Sequence, residues 1–161
     1  MIRRILIVEP DPEIAQEMFL LFHLERGRFE HDRYEPEIAE SVAEAVEQVQ
    51  TVNFNCIIMD VELPEMKGYE AIALMNTIGN NPPVIMTAAK NSLELESKVR
   101  QQDVYYYHVR AFDLDELKSA VHSVFENLQE LKRTRKPSIA TPPIVLKQLR
   151  LCQKGKSQKW L

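Results

Sequence analysis

Short apolar runs of about four to six residues recur along this chain, and the segments between them carry apolar residues at helical spacing. That alternation is the pattern of βα units, in which parallel strands are buried on both faces by their connecting helices. Five such units can be counted, and a single α/β sandwich accounts for the chain up to about residue 131.

The first strand is predicted over Arg4–Val8, and the first helix from Pro12 to about Glu25, with Ile14, Met18, Leu21 and Phe22 on one face. The second strand, Arg33–Ala39, contains Pro36 and is expected at a sheet edge. Ser41 is expected to cap the second helix, with Glu44 as its capping-box partner and Val42, Ala45, Val46 and Val49 facing inward. A third strand, Cys56–Met59, ends in Asp60, and a loop with Pro64 and Gly68 leads to a helix from Tyr69 to about Ile78. GNNPP breaks the chain before a fourth strand, Val84–Met86, which ends at Thr87. A fourth helix is expected over about Ser92–Gln102, a fifth strand over Tyr105–Val109, and Asp113 as the cap of the fifth helix.

The fifth helix carries Leu114, Leu117, Val121, Val124, Leu128 and Leu131 at alternating spacings of three and four. This spacing has two readings: its first half packs on the sheet and the rest continues beyond it, or the stripe through Leu117, Val121, Val124 and Leu128 is a dimer seam.

At 161 residues with 45% apolar content, the chain suits one globular domain with an appendage. The start, MIRRILIV, has an apolar run too short for a signal-peptide core or a bilayer span, so a cytoplasmic protein without a membrane span is expected. Cys56 and Cys152 have no metal-type spacing and read as free thiols. The formal charge of −4 conceals an asymmetry: residues 1–131 hold 24 acidic against 11 basic side chains, and the last 30 residues hold nine Lys or Arg and no acid. Residues 132–161 therefore read as a basic tail, in which KPSIATPP is a linker and IVLKQLRLCQKGKSQKWL is a short amphipathic helix or unstructured. Such a tail is either a solvated extension or a binder of nucleic acid or anionic surfaces, and no helix-turn-helix output domain fits in it.

In open parallel sheets, ligands bind beyond the carboxyl ends of the strands. There the chain places Glu9 and Asp11, then Asp60, Thr87 and Arg110, in strand order. Carboxylate oxygens suit a hard cation such as Mg²⁺, and an aspartate beside it can accept a phosphoryl group, whose oxygens a hydroxyl and a cation would bind. His23, His31, His108 and His122 are scattered, and neither a nucleophile elbow nor a Gly-rich phosphate loop is present.

ILIVEPDPEI, IIMDVELPEMKGYEAI, VIMTAAK and YYYHVRAFDLDEL stand in order at the ends of four predicted strands. With these blocks, and MDVELPEMKG above all, the chain resembles a receiver domain of the bacterial response-regulator family over about residues 2–131. The resemblance implies a flavodoxin-like, doubly wound five-stranded parallel sheet of order 2-1-3-4-5 with an extended C-terminal helix. It implies a stand-alone response regulator in two-component phosphorelay signalling, a phosphoacceptor rather than an enzyme, with a sensor histidine kinase or phosphotransfer protein and a downstream protein as partners. By position, Asp60 matches the phosphoacceptor. Glu9, Asp60 and the backbone of Glu62 match the Mg²⁺ site, with Asp11 a further candidate. Thr87 with Ala88, Tyr107 and Arg110 match the switch and phosphoryl-binding positions. The surface of the fourth helix, fifth strand and fifth helix matches the family's usual docking face, where a homodimer would form.

The chain departs from the family pattern at three places. The adjacent acids after the first strand are Glu9 and Pro10, and Pro10 offers no side-chain ligand. The Lys-Pro pair of the fifth strand is Arg110-Ala111, for which a trans peptide is expected, since a cis bond before Ala costs about 3 kcal/mol. Lys67 stands where an acid is common. These departures leave a second reading open: a receiver-like interaction module independent of phosphoryl transfer.

Overall fold

The computed structural model describes residues 1–25, 33–78, 81–109 and 114–134. Its elements are β1 (Ile2–Val8), α1 (Pro12–Leu24), β2 (Arg33–Ala39), α2 (Val42–Thr51), β3 (Cys56–Asp60), α3 (Gly68–Asn76), β4 (Val84–Ala88), α4 (Leu93–Arg100), β5 (Tyr106–Val109) and α5 (Leu114–Thr134). The strands form one sheet, all neighbours parallel, in the order β2-β1-β3-β4-β5.

Successive side chains of a strand point to opposite faces, and here both faces are apolar. Leu6, Val8, Ile57, Met59 and Met86 join Val42, Ala45, Val49, Ala71, Ile72, Met75 and Val99 in one core layer, under α2, α3 and α4. Ile5, Ile7, Ile58 and Ile85 join Met18, Phe22, Leu117, Val121, Val124 and Phe125 in the other, under α1 and α5. The chain is thus doubly wound, and the three loops after β1, β3 and β4 meet along one rim of the sheet.

Local chemistry sets the helix starts. Asp11 caps α1 with Pro12 in its first turn, Ser41 caps α2 and Ser92 caps α4. The Ser41 hydroxyl accepts from the Glu44 N–H (3.2 Å), but the Glu44 carboxylate reaches the N–H of Glu40, one residue before the cap. The predicted cap Asp113 lies outside the described residues, as do Arg110, Cys152 and nearly all of the basic tail.

β2 is an edge strand, as its proline required. Arg33 N–H donates to the Met1 carbonyl and Glu9 N–H to the Ala39 carbonyl, so the odd-numbered residues of β2 turn their backbone groups toward β1. Pro36 therefore presents its missing N–H to the free edge, where the Ile38 carbonyl accepts from the Gln48 side chain (3.1 Å).

The dimer seam on the fifth helix requires correction. Leu117, Val121 and Val124 are 0–1% exposed within a single chain, and Leu128 packs partly buried on the same cluster. The stripe is the face that α5 lays on its own sheet. One compact unit spans Met1–Leu128, and a second begins at Gln129, three residues before the predicted start of the tail. Among the described residues, no helix is long and apolar enough to cross a membrane. Cys56 is buried in β3, and its burial pushes the thiol up to about 12, so it is inert as a nucleophile at neutral pH.

Candidate functional site

The site is built at the C-terminal ends of β1, β3 and β4. Val8 pairs with Met59, so Glu9 and Asp60 follow on adjacent strands, and Asp60 itself pairs with Thr87. All three side chains are buried, at 1%, 3% and 1% exposure. Two carboxylates and a hydroxyl taken out of water side by side is a costly arrangement that an ordinary core avoids.

The backbone holds each in place. The Glu9 carboxylate accepts from the Asp11 N–H (3.0 Å), which folds the Glu9-Pro10-Asp11 turn back on itself. Asp60 Oδ1 accepts from the Glu62 N–H (3.2 Å), and the Val61 N–H donates to the Thr87 carbonyl (2.8 Å), tying the strand ends together. The Gly68 N–H donates to the Val61 carbonyl (2.8 Å), and a Cβ at Gly68 would stand 2.3 Å from the Asp60 carbonyl oxygen. Only glycine lets the start of α3 approach the acceptor strand this closely.

Among the described residues, the buried Thr87 hydroxyl oxygen has no hydrogen-bond partner. Leaving such a group unsatisfied costs about 1–3 kcal/mol, and a ligand oxygen brought to it would remove that cost. Thr87→Val, which keeps the shape and removes the hydroxyl, is accordingly expected to raise stability by about 1 kcal/mol in urea unfolding.

Asp11 is corrected by the structure. Its side chain is exposed and accepts from the N–H groups of Glu13 (2.9 Å) and Ile14 (3.4 Å), the ordinary work of a helix cap, rather than turning to Asp60. Glu62 likewise sends its carboxylate to Lys67. Among the described residues, no group of three or more His, Cys, Asp or Glu side chains is arranged to hold a metal. What remains for a cation is the pair of buried carboxylates, Glu9 and Asp60. Hard oxygens in that number are what Mg²⁺ takes from a protein, since it keeps several waters, so the donor set fits.

Ala88 is fully buried beside Thr87. Tyr107 pairs with Met86, lies half-buried against the α2–α4 core layer, and donates its hydroxyl to Asn91 (3.1 Å) in the loop after β4. Burial, then the nearby Glu96, pushes its phenol up. A cavity of about 410 Å³ lies between α4 and β5, lined in part by Asn91, Glu96, Val99, Arg100 and Tyr107. Asn91 carried no signal in the sequence, because its role is defined only by a tyrosine 16 residues away.

The family model for the response regulator receiver domain matches residues 5–122. Among curated proteins, the chain is 26% identical to the regulatory protein AtoC of Escherichia coli strain K12, over 82% of this chain and 27% of that protein. It is 24% identical to the transcriptional regulatory protein PcoR of Escherichia coli, over 82% of this chain and 55% of that protein. The chain thus spans about a quarter to about half of the length of these relatives. Among solved structures, a CheY-like receiver domain protein from Methanospirillum hungatei JF-1 superposes with a TM-score of 0.68 at 24% identity, covering 81% of this chain and 99% of that one. The response regulator TrrA of Thermotoga maritima, solved in complex with Mg²⁺ and BeF, gives 0.64 at 25% identity over 76% of this chain and 98% of that one. Receiver domains of this kind interact with histidine kinases or phosphotransfer proteins and with downstream targets, and generally bind Mg²⁺ at the acidic phosphorylation site. Fold, rim and family model agree, and the chain belongs to the response-regulator receiver domain family of two-component signalling.

Proposed function

We propose that Asp60 is the phosphoacceptor of a phosphorelay and that this chain is a signalling acceptor, not an enzyme with a turnover substrate. One Asp60 oxygen bonds to the phosphorus of a phosphohistidine while the P–N bond breaks and the imidazole leaves. The observation that carries the reading is the buried Thr87 hydroxyl, without a partner among the described residues and in register with Asp60. A phosphoryl oxygen on Asp60 supplies the partner that hydroxyl lacks. Glu9, Asp60 and the Glu62 backbone carbonyl would hold Mg²⁺, which supplies positive charge against the phosphoryl oxygens. The complex with Mg²⁺ and BeF formed by TrrA supports the same chemistry here. Arg110, outside the described residues, takes the second cationic role.

Movement of Thr87 toward the phosphoryl group draws on the loop that holds Asn91, and so on the Tyr107 hydroxyl bound to it. The signal then reaches the surface of α4, β5 and α5. Beryllofluoride with Mg²⁺ is expected to shift the amide resonances of α4 in the wild type and to leave those of Asp60→Asn unmoved. Unmoved α4 resonances in the wild type would sink the proposal. That outcome would favour the second reading, an interaction module independent of phosphorylation, for which Pro10 and the outward turn of Asp11 speak.

A further inference from the structure

The loop between β3 and α3 holds an ion pair beside the acceptor. Lys67 Nζ donates to the Glu62 carboxylate, and the backbones of the same two residues form an antiparallel bridge that closes the loop. The Glu62 N–H is bonded to Asp60 Oδ1 (3.2 Å), so the Glu62 side chain is rooted at the acceptor itself. That side chain is 62% exposed and Lys67 42%, so the pair lies in water, on the loop that follows Asp60. A surface pair of this kind contributes little to stability. Charges in water act over a Debye length, about 8 Å at physiological salt.

We infer that Lys67 is a positioning residue for phosphoryl entry: it holds the Glu62 carboxylate to the loop and neutralises it, so that this carboxylate adds no repulsion to an anionic phosphodonor approaching Asp60. The inference rests on Asp60 being the phosphoacceptor. Lys67 touches neither the donor nor Asp60, and its effect runs through Glu62 alone. An unpaired Glu62 carboxylate would be carried by its own backbone to the path of the incoming anion and would repel it.

The test uses the full chain with acetyl phosphate and Mg²⁺, following the phosphorylated fraction by intact mass. Lys67→Met is expected to raise KM about two- to fivefold at low salt with kcat unchanged, an effect that shrinks as salt screens the charge. In a Glu62→Gln background the same substitution is expected to change nothing, and Lys67→Arg alone is expected to retain the wild-type KM. An unchanged KM in Lys67→Met overturns the inference. So does a loss that persists in the Glu62→Gln background, which would mean that Lys67 meets the donor itself, and so does a loss insensitive to salt, which would mean that it only braces the loop. A wild type that acetyl phosphate does not modify overturns the phosphoacceptor reading instead, and is distinguished from all of these by the wild-type measurement alone.

Discussion

Gly68→Ala is expected to destabilise the protein by about 3 kcal/mol, the upper part of the range for forcing extra atoms into a packed site. The new Cβ would meet the Asp60 carbonyl oxygen at 2.3 Å and both the Asp60 carbonyl carbon and Val61 Cα at 3.1 Å. All three are backbone atoms of the acceptor strand and its first loop residue, so no side chain can rotate away to make room. Alanine does gain helix propensity over glycine, about 1 kcal/mol in a helix interior and less at the first position of α3, which is too little to reverse the sign. Relief must come from moving α3 or the end of β3, and the second displaces Asp60 from Thr87. Urea unfolding measures the stability, and acetyl-phosphate labelling of the folded fraction measures the site. A variant with wild-type stability would show that α3 gives way freely, and that the glycine has another reason to be there.

Leu117→Ala is expected to cost about 3 kcal/mol, within the 2–5 kcal/mol typical of a leucine removed from a close-packed core. Leu117 is 0% exposed and sits in the layer with Ile5, Ile7, Ile58 and Ile85. The loss should be the same at every protein concentration, because the side chain packs within one chain. A dimer seam at the same residue would make the unfolding midpoint of the wild type rise with concentration and that of the variant rise less. Urea titrations over a hundredfold range of concentration separate the two.

Where burial and spacing act together, the sequence was a good guide. The apolar strands, the Ser41 cap and the edge position of Pro36 follow from rules that need only near neighbours, and each is found in the fold. Strand order came through the family resemblance, since no local pattern distinguishes it. The α5 stripe shows the limit of periodicity: a spacing of three and four says that a helix has one apolar face, not what covers it. Asp11 shows another limit. An acid at a strand end and an acid at a helix start are the same letter when one residue serves both, and here the two free N–H groups of α1 win it. Arg3 was legible only as charge, yet it is fully buried in β1, with its guanidinium 5.3 Å from the centre of the Phe125 ring. Its aromatic neighbour lies more than a hundred residues away, beyond any local pattern.

The free edge of β2 has a consequence for self-association. A row of unpaired backbone groups is the template on which a foreign strand, or a second copy, extends a sheet toward fibrils. On this edge Pro36 has no donor to offer and the Ile38 acceptor is already taken by Gln48, so a strand arriving there would lack one donor and one acceptor of its ladder. Recruitment by strand addition is weakened on that side, and a partner there gains more from side chains than from backbone.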